Sequence, residues 1–268
     1  MKTISVITIS FNALAHIEKT IQSVITQKYN KFEYIVVDGK SNDGTVSIIR
    51  KYDNSIDKWI SEPDTGIYNA MNKAVKLATG KYCIFMNAGD TFLHDKVLYE
   101  VDKYLETDID IISGNNIITQ NNKLIAYYKA PKAITFNHLF NSSLCHQATF
   151  IKRELLIENP YDESLRMVSD WKFWIQTIVL KNSSYKNVNI DICNFDASGI
   201  TYTQQEKGFI EREKVFQELI PSRIISDYIF FNKKRSIIHR IYKLIQRKYM
   251  QYSYQLKNKS SKLPNLAY

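Results

Sequence analysis

The chain has 268 residues, 44% hydrophobic and 24% charged, with a formal net charge of +9. That length buries a large core without staples. The three cysteines, Cys83, Cys145 and Cys193, are odd in number and far apart, which argues against a disulfide framework or a zinc knuckle and fits a reducing compartment. The charge is uneven: from Leu219 to Tyr268 eleven Lys and Arg stand against one acid, Asp227, and the rest is close to neutral. A nucleic-acid binder basic throughout would look different, so no nucleic-acid partner is expected. The opening MKTISVITISFN has no charged segment leading into a long apolar run. No stretch approaches the roughly 20 apolar residues of a membrane span.

Strand and helix alternate through the first half. Lys2 to Ile9 has the β-branched composition of a strand, and Ser10-Phe11-Asn12 is a turn. Ala15 to Gln27 places Ile17, Ile21, Val24 and Ile25 at helical spacing. Phe32 to Val37 is a second buried strand ending on Asp38-Gly39. Asp43-Gly44-Thr45 opens a helix through Tyr52, and Asp57 to Ile60 is a short third strand. A helix from Ile67 to Thr79, closed by Gly80, leads into the strand Tyr82–Met86 and the polar turn Asn87-Ala88-Gly89-Asp90. A helix from Lys96 to Leu105 follows. This alternation means βαβ units and a mostly parallel sheet flanked by helices.

After Ile109 the pattern changes. Asp110–Ser113, Ile117–Thr119 and Lys123–Tyr128 are short strand candidates around Asn-rich turns, and His138–Leu144 is irregular. Ala148–Ile151 is a strand, Lys152–Glu158 a short helix, Asp170–Val179 a helix with Phe173, Trp174 and Ile178 inward, and Tyr185–Phe195 a late strand. From Gln205 onward everything is helical in pattern. The expected organisation is a domain over 1–204, in halves 1–108 and 109–204, then a helical basic extension over 205–268.

Three strands in the first half end within a few residues of an acid: Asp38, Asp64 and Asp90. Ligands of open α/β sheets bind beyond the carboxyl ends of strands, so these acids are placed to meet a nucleotide or a cation. Mg²⁺ typically takes one or two carboxylates and completes its shell with substrate phosphates. The structural alternative is that Asp38 and Asp43 cap turns and helix starts. The first turn, Ser10-Phe11-Asn12-Ala13, matches neither GxGxxG nor GxxxxGK[ST], which counts against a dinucleotide enzyme and a P-loop NTPase. Phosphates, if bound, need a metal.

These residues resemble the family 2 glycosyltransferases of GT-A (Rossmann-like) fold, especially the short bacterial enzymes of surface-polysaccharide synthesis. The resemblance covers about Lys2 to Ser198. It rests on Val6–Asn12, on Val36-Val37-Asp38-Gly39 with Ser41 and Asp43-Gly44-Thr45, on Glu62–Tyr68, on Ala70–Lys73 and on Ala78-Thr79-Gly80. It implies a nucleotide-sugar donor, UDP-linked in preference, held by Ser10, Asn12, Asp38, Ser41, Asp64 and Asn87 in the 1–108 half. Asp38 would contact the base and Asp64 the base or ribose. The acidic turn after the fourth strand is the family's metal motif, often DxD; here Asp90 alone carries over, for Mn²⁺ or Mg²⁺.

The 109–204 half would supply the acceptor side. Cys145–Phe150 resembles the family's His-Gln stretch, and Ser169–Trp174 the acidic start of the helix that carries the catalytic base. An inverting transfer needs such a base. Asp170 is assigned to it, with Glu163 or Asp162 next in line; its bland reading is a helix N-cap, with Ser169 competing for that place. His146, Gln147 and Trp171 are expected at the acceptor, though His146 also fits a core histidine or a metal ligand. The acceptor would be a saccharide or lipid-linked saccharide.

In the basic tail, Ile237, Ile238, Ile241, Ile245, Tyr249 and Tyr252 fall on one helix face beside Arg235, Arg240, Lys243, Arg247 and Lys248. That suits an anionic membrane surface, or packing on the globule or on a second subunit of a homo-oligomer. The expected location is cytoplasmic, peripheral on the inner face of the membrane. Two alternatives remain: a catalytically idle nucleotide-sugar-binding protein, against which Asp90 and Asp170 both speak, and a nucleotidyltransferase, whose Gly-rich basic loop Ser10–Leu14 lacks.

Overall fold

The computed structural model describes residues 2–120, 123–197 and 205–233. The chain divides into two compact units, 1–213 and 214–268. In the first unit, β1 (Ile4–Ser10), β2 (Phe32–Asp38), β3 (Lys58–Ser61) and β4 (Tyr82–Phe85) all run parallel in the order β3-β2-β1-β4. The helices α1 (Ile17–Ile25), α2 (Thr45–Lys51) and α3 (Ile67–Leu77) connect them. Burial on both faces is why β1 and β2 carry no alternation: every residue from Ile4 to Ser10 is buried. Ile17, Ile21 and Val24 of α1 pack with Ile4, Val6 and Ile84 in the same core, as the helical spacing requires.

Tight closure between α3 and β4 depends on Gly80. A methyl group there would stand 2.6 Å from the backbone nitrogen of Ser5, inside contact distance. The buried Glu33 carboxylate ties the same corner. It accepts from Ser5 Oγ (2.6 Å), Thr79 N (2.5 Å) and Gly80 N (3.1 Å).

The second half of this unit extends the sheet with mixed polarity. Two-residue β5 (Thr91–Phe92) and helix α4 (Val97–Leu105) come first, then β6 (Ile111–Gln120), β7 (Lys123–Tyr128), α5 (Phe136–Asn141), β8 (Thr149–Lys152) and α6 (Arg153–Glu158). Next are α7 (Ser169–Trp174), which continues as a π-helical turn over Ile175–Leu180, and β9 (Tyr185–Asp196). The strand order continues β4-β8-β6-β9-β5. The β8 pairings and the β9–β5 pairing are antiparallel, and β6 runs parallel to β9. Residues Ile111–Ser113 of β6 pair with β8 and residues Asn116–Gln120 with β7.

Two expectations are corrected here. The Asn-rich turn expected between Ser113 and Ile117 is the middle of a single ten-residue strand. Its register shifts against β9, and the polar side chains are satisfied on the sheet: Asn115 Nδ2 donates to Asp191 (2.8 Å) and its Oδ1 accepts from Ala130 N (3.0 Å). The stretch expected to be irregular holds α5, capped by Thr135, whose hydroxyl accepts from His138 N (3.2 Å).

Helix α8 (Gln205–Leu219) contains the division between the two units, and a last described helix covers 222–233. Ile224, Ile229, Phe230 and Phe231 of that helix are exposed. The basic face expected from Arg235 to Tyr252 lies outside the described residues. No helix among the described residues is long and apolar enough to cross a membrane.

Candidate active site

A cleft of about 800 Å³ opens at the carboxyl ends of β1 and β4. Ser10, Asn12, Asp64, Asn87, Asp90, His146, Gln147 and Asp170 all line it. Residues from both halves of the sequence are thus brought to one place, at the crevice where open α/β sheets bind ligands.

The Asn87–Asp90 turn is held from two sides. The chain beyond β4 stays bonded to β1, with Met86 N donating to Ile7 O (2.7 Å) and Ala88 N to Ile9 O (3.0 Å). Asp90 N donates to Asn87 O (2.9 Å), and Gly89 takes the left-handed φ of +110° that this turn needs. Thr20 of α1 pins the turn: its hydroxyl donates to Asp90 O (2.8 Å) and accepts from Gly89 N (2.9 Å). The Asp90 carboxylate is buried, accepting from Asp196 N (3.0 Å) and Gln147 Nε2 (3.1 Å). Burial pushes its carboxyl up to about 7 in spite of these two donors.

Asp170 lies on the first turn of α7. One oxygen accepts from Tyr68 OH (3.0 Å) and the other meets His146 Nδ1 (3.0 Å). The side chains of His146 and Asp170 are only 14% and 16% exposed. Burial alone would raise the Asp170 carboxyl, but bonding to His146 and Tyr68 outweighs it and holds the group below the usual carboxylate range. His146 moves the other way: burial would lower its imidazole, and Asp170 raises it above the usual value. The far ring nitrogen, Nε2, stands 3.3 Å from Asn87 Nδ2. With Nδ1–H donating to Asp170, Nε2 accepts from Asn87, so one consistent tautomer links α7 to the Asn87–Asp90 turn. Asp170 is not the N-cap of α7, which has no side-chain cap bond, and the Ser169 hydroxyl is buried without a bond among the described residues.

The residues present fit a divalent cation. The buried carboxylate of Asp90 and the Asn87 Oδ1, a buried acceptor with no hydrogen-bond partner among the described residues, are hard oxygen donors on one turn. Asp196, at the end of β9, lines the same cleft. Among the described residues no three His, Cys, Asp or Glu form a closed cage, so donors from a substrate diphosphate would have to complete the shell.

Other expected residues are placed differently. Asp38 does not reach the cleft. It is fully buried and accepts from Ser10 Oγ (3.0 Å), Ser41 Oγ (2.5 Å), Ser41 N (2.9 Å) and Ser61 Oγ (2.7 Å), which fills its lone pairs. Ser41 in turn accepts from Asn12 N (2.8 Å), so this carboxylate supports the lining from beneath. Asp43 serves as a cap, accepting from Leu14 N (2.9 Å) and Thr45 N (3.0 Å). Asp64 lies in the lining, accepts from Gly66 N (2.9 Å) and closes over Gly39 beside the Phe11 ring. Gln147 lines the cleft with its amide nitrogen committed to Asp90. Trp171 faces the core: it is 1% exposed, its indole N–H donates to Leu139 O (2.7 Å), and the Arg212 guanidinium lies over the ring. The reserve bases are engaged elsewhere, Asp162 with Lys172 (2.7 Å) and Glu163 with Asn69 (2.7 Å) and Asn72 (2.9 Å).

Sequence reasoning missed Tyr68, Arg166 and Asp196, which also line the cleft. Tyr68 was legible as an apolar position at the start of a helix and as the end of the Glu62–Tyr68 motif, with no role attached. Asp196 closes a strand, as Asp38 does, and that signal went unused.

The fold is the GT-A fold of nucleotide-sugar enzymes. S. aureus TarS (residues 1–349, in complex with UDP-GlcNAc) superposes with a TM-score of 0.60 at 20% identity, over 76% of this chain and 61% of that one. The mannosyltransferase PcManGT from Pyrobaculum calidifontis, in complex with GDP-Man and Mn²⁺, gives 0.62 at 18% identity, over 81% and 64%. The chain thus spans a little over three fifths of these two structures. Its sequence matches the glycosyl transferase family 2 model over residues 5–155, and the chain belongs to that family. It is a glycosyltransferase. Among curated relatives it is 29% identical over 203 residues to the Escherichia coli UDP-Glc:alpha-D-GlcNAc-diphosphoundecaprenol beta-1,3-glucosyltransferase WfgD, covering 75% of this chain and 78% of the relative. It is 26% identical over 216 residues to a PGL/p-HBAD biosynthesis glycosyltransferase of Mycobacterium bovis, covering 78% and 82%.

Proposed function

We propose that this glycosyltransferase works with inversion and with a divalent cation. It would move a sugar from a uridine diphosphate donor to a hydroxyl of a lipid-linked saccharide in surface-polysaccharide synthesis. The observation that carries the reading is that one cleft is lined by two differently built acids, Asp90 beside the unpartnered Asn87 Oδ1 and Asp170 bonded to His146 and Tyr68. Titratable groups whose environments diverge in this way mark different chemical roles. The uridine nucleotide is supported by the UDP-Glc donor in the name of the E. coli relative and the UDP-GlcNAc held by TarS. The lipid-linked acceptor is supported by the diphosphoundecaprenol in that same relative's name.

Asp170 takes the proton of the attacking hydroxyl. Held low, it is ionised at neutral pH, and its oxygens, which accept from Tyr68 OH and meet His146 Nδ1, keep lone pairs for the acceptor. Tyr68 stays a donor, because burial and the neighbouring Asp170 push its phenol far up. His146 keeps the carboxylate oriented and couples it to Asn87. Asp90 and Asn87 would hold the cation, which when bound supplies Lewis-acid stabilisation of the leaving diphosphate. Phe11 and Asp64 offer a ring and a carboxylate for the base and ribose, and Asp38 acts only through Ser10 and Ser41.

A panel of UDP-, GDP- and dTDP-sugars, scored by thermal shift with and without Mn²⁺, tests the donor, since a ligand of the folded state raises the melting temperature by mass action. NMR of the product then reads the anomeric configuration. A shift from UDP-sugars that needs Mn²⁺, with inverted product, is expected. No shift from any nucleotide-sugar, or a retained configuration, overturns the reading.

A further inference from the structure

The strand β7 is unlike any other in the sheet. Leu124 is 65% exposed, Ile125 51%, Tyr127 45% and Tyr128 54%. These residues fall on both faces of the strand, and among the described residues β7 pairs only with β6. Edge strands facing water are normally blunted by charge or proline within them, and β7 has a single charge, Lys123 at its first position. An apolar patch of this kind marks an interaction surface.

The chain leading into and out of the strand carries one sign of charge. From Ile111 to Arg153 the chain contains no Asp or Glu, while Lys123, Lys129 and Lys132 are exposed and form no ion pair among the described residues. The carboxylate beside the strand, Asp191, is engaged by Tyr127 OH (2.8 Å) and Asn115 Nδ2 (2.8 Å). The same segment reaches the active site, since Tyr128, Lys129, Ala130 and Pro131 line the cleft.

We infer that β7 and the segment following it, through Lys132, seat the cleft on an anionic bilayer. The inference rests on the reading of the acceptor as lipid-linked, because a sugar on a membrane diphosphate can be reached only by a cleft held at the headgroups. Aliphatic side chains, tyrosines and flanking lysines are the combination that suits that interface. A second copy of the chain fits less well. A two-fold, antiparallel pairing of β7 with itself would set Lys123 near the Lys129 of the other copy, and like charges across strands repel.

The test uses the full chain, so that the basic residues after 233 are present in every sample. Wild type and a Leu124→Asp/Ile125→Asp variant are co-sedimented with vesicles of phosphatidylcholine alone or with phosphatidylglycerol. Neither substituted residue lines the cleft, so stabilisation by a UDP-sugar and transfer to a water-soluble acceptor should be unchanged. Binding to the anionic vesicles should fall about tenfold or more, because two apolar anchors become repelled acids. Transfer to vesicle-borne acceptor should fall with it, and Lys123→Gln/Lys132→Gln should weaken the binding chiefly at low salt. Vesicle binding unchanged in the aspartate variant overturns the proposal. So does a wild-type dimer that the variant splits while neither protein binds vesicles. Anionic-vesicle binding lost in the variant, in a protein that no nucleotide-sugar stabilises, would strike the catalytic reading and leave the membrane surface standing.

Discussion

The part of the cleft lining that follows β1 and β4 and the part that follows β7 are built by different rules. Ser10, Asn12 and the Asn87–Asp90 turn sit at the ends of β1 and β4, strands buried along their whole length, and each is fixed by bonds to a neighbour such as Thr20 or Ser41. On the other side, β7 is exposed at five of its six positions, and Tyr128 to Pro131 pass from it into the lining. On the proposed reading, the first would hold a small, highly charged donor, for which preorganised oxygens and amides matter most, and the second would meet an acceptor presented at a surface, which an amphipathic wall suits. His146 and Asp170 stand between the two regimes, and the His146–Asn87 contact links Asp170, the proposed base, through His146 to the proposed metal turn.

Breaking the base should give the largest effect. Asp170→Asn is expected to lower turnover by about 10²–10⁴-fold, the usual worth of general acid–base catalysis. UDP-sugar affinity, measured by calorimetry, should stay near wild type, and equal losses in affinity and turnover would return Asp170 to a structural role. Next comes the metal turn. Asp90→Asn should cost about 10²-fold or more in turnover, because a cation supplies several kcal/mol of charge stabilisation and each 1.4 kcal/mol is tenfold. EDTA should impose a similar loss on wild type and little more on the variant; full activity of wild type in EDTA would remove the cation.

Two smaller changes test the rigidity of the donor side. Gly80→Ala forces a methyl against Ser5 N at 2.6 Å. Backbone cannot yield as a flexible side chain does, so chemical denaturation should register a loss of about 1–3 kcal/mol. Glu33→Gln gives the pH signature. Burial would raise the Glu33 carboxyl, but its bonds from Ser5, Thr79 and Gly80 hold it below the ordinary glutamate value. A lowered folded value contributes stability above the unfolded value and loses it as pH falls through the folded one. The variant should therefore be about 1–3 kcal/mol less stable at neutral pH, as for a buried bond to a charged group. The gap should close below about pH 4. A gap independent of pH would mean that shape, not charge, matters at this corner.

Legibility in the sequence divided along the same line. Apart from two-residue β5, which the sequence did not show, the strands and helices of the first half lie within about two residues of where hydrophobic spacing puts them, since buried parallel strands and one-faced helices leave continuous apolar signals. In the second half the Asn-rich centre of β6 looked like a turn, because Asn115 hides a strand position whose polar groups are satisfied by Asp191 and Ala130. Helix α5 escaped because six residues with only Leu139 buried carry too little periodicity.

The candidate site was legible as residue types more than as contacts. Asp64 and Asp90 stand out by their places after strands, Asn87, His146 and Asp170 by the resemblance to the family, and all of them line the cleft. By itself the sequence determined the α/β alternation, the polar turns after the strands and the neutral globule before a basic end, all local in chain distance. Only the tertiary structure decided which carboxylates face solvent. It buried Asp38 under four donors, turned Trp171 into the core, set Gln147 on Asp90 and brought Tyr68 to Asp170 across 102 residues of sequence. Hydrogen-bond partners and desolvation depend on segments far apart in the chain, and no local pattern encodes them.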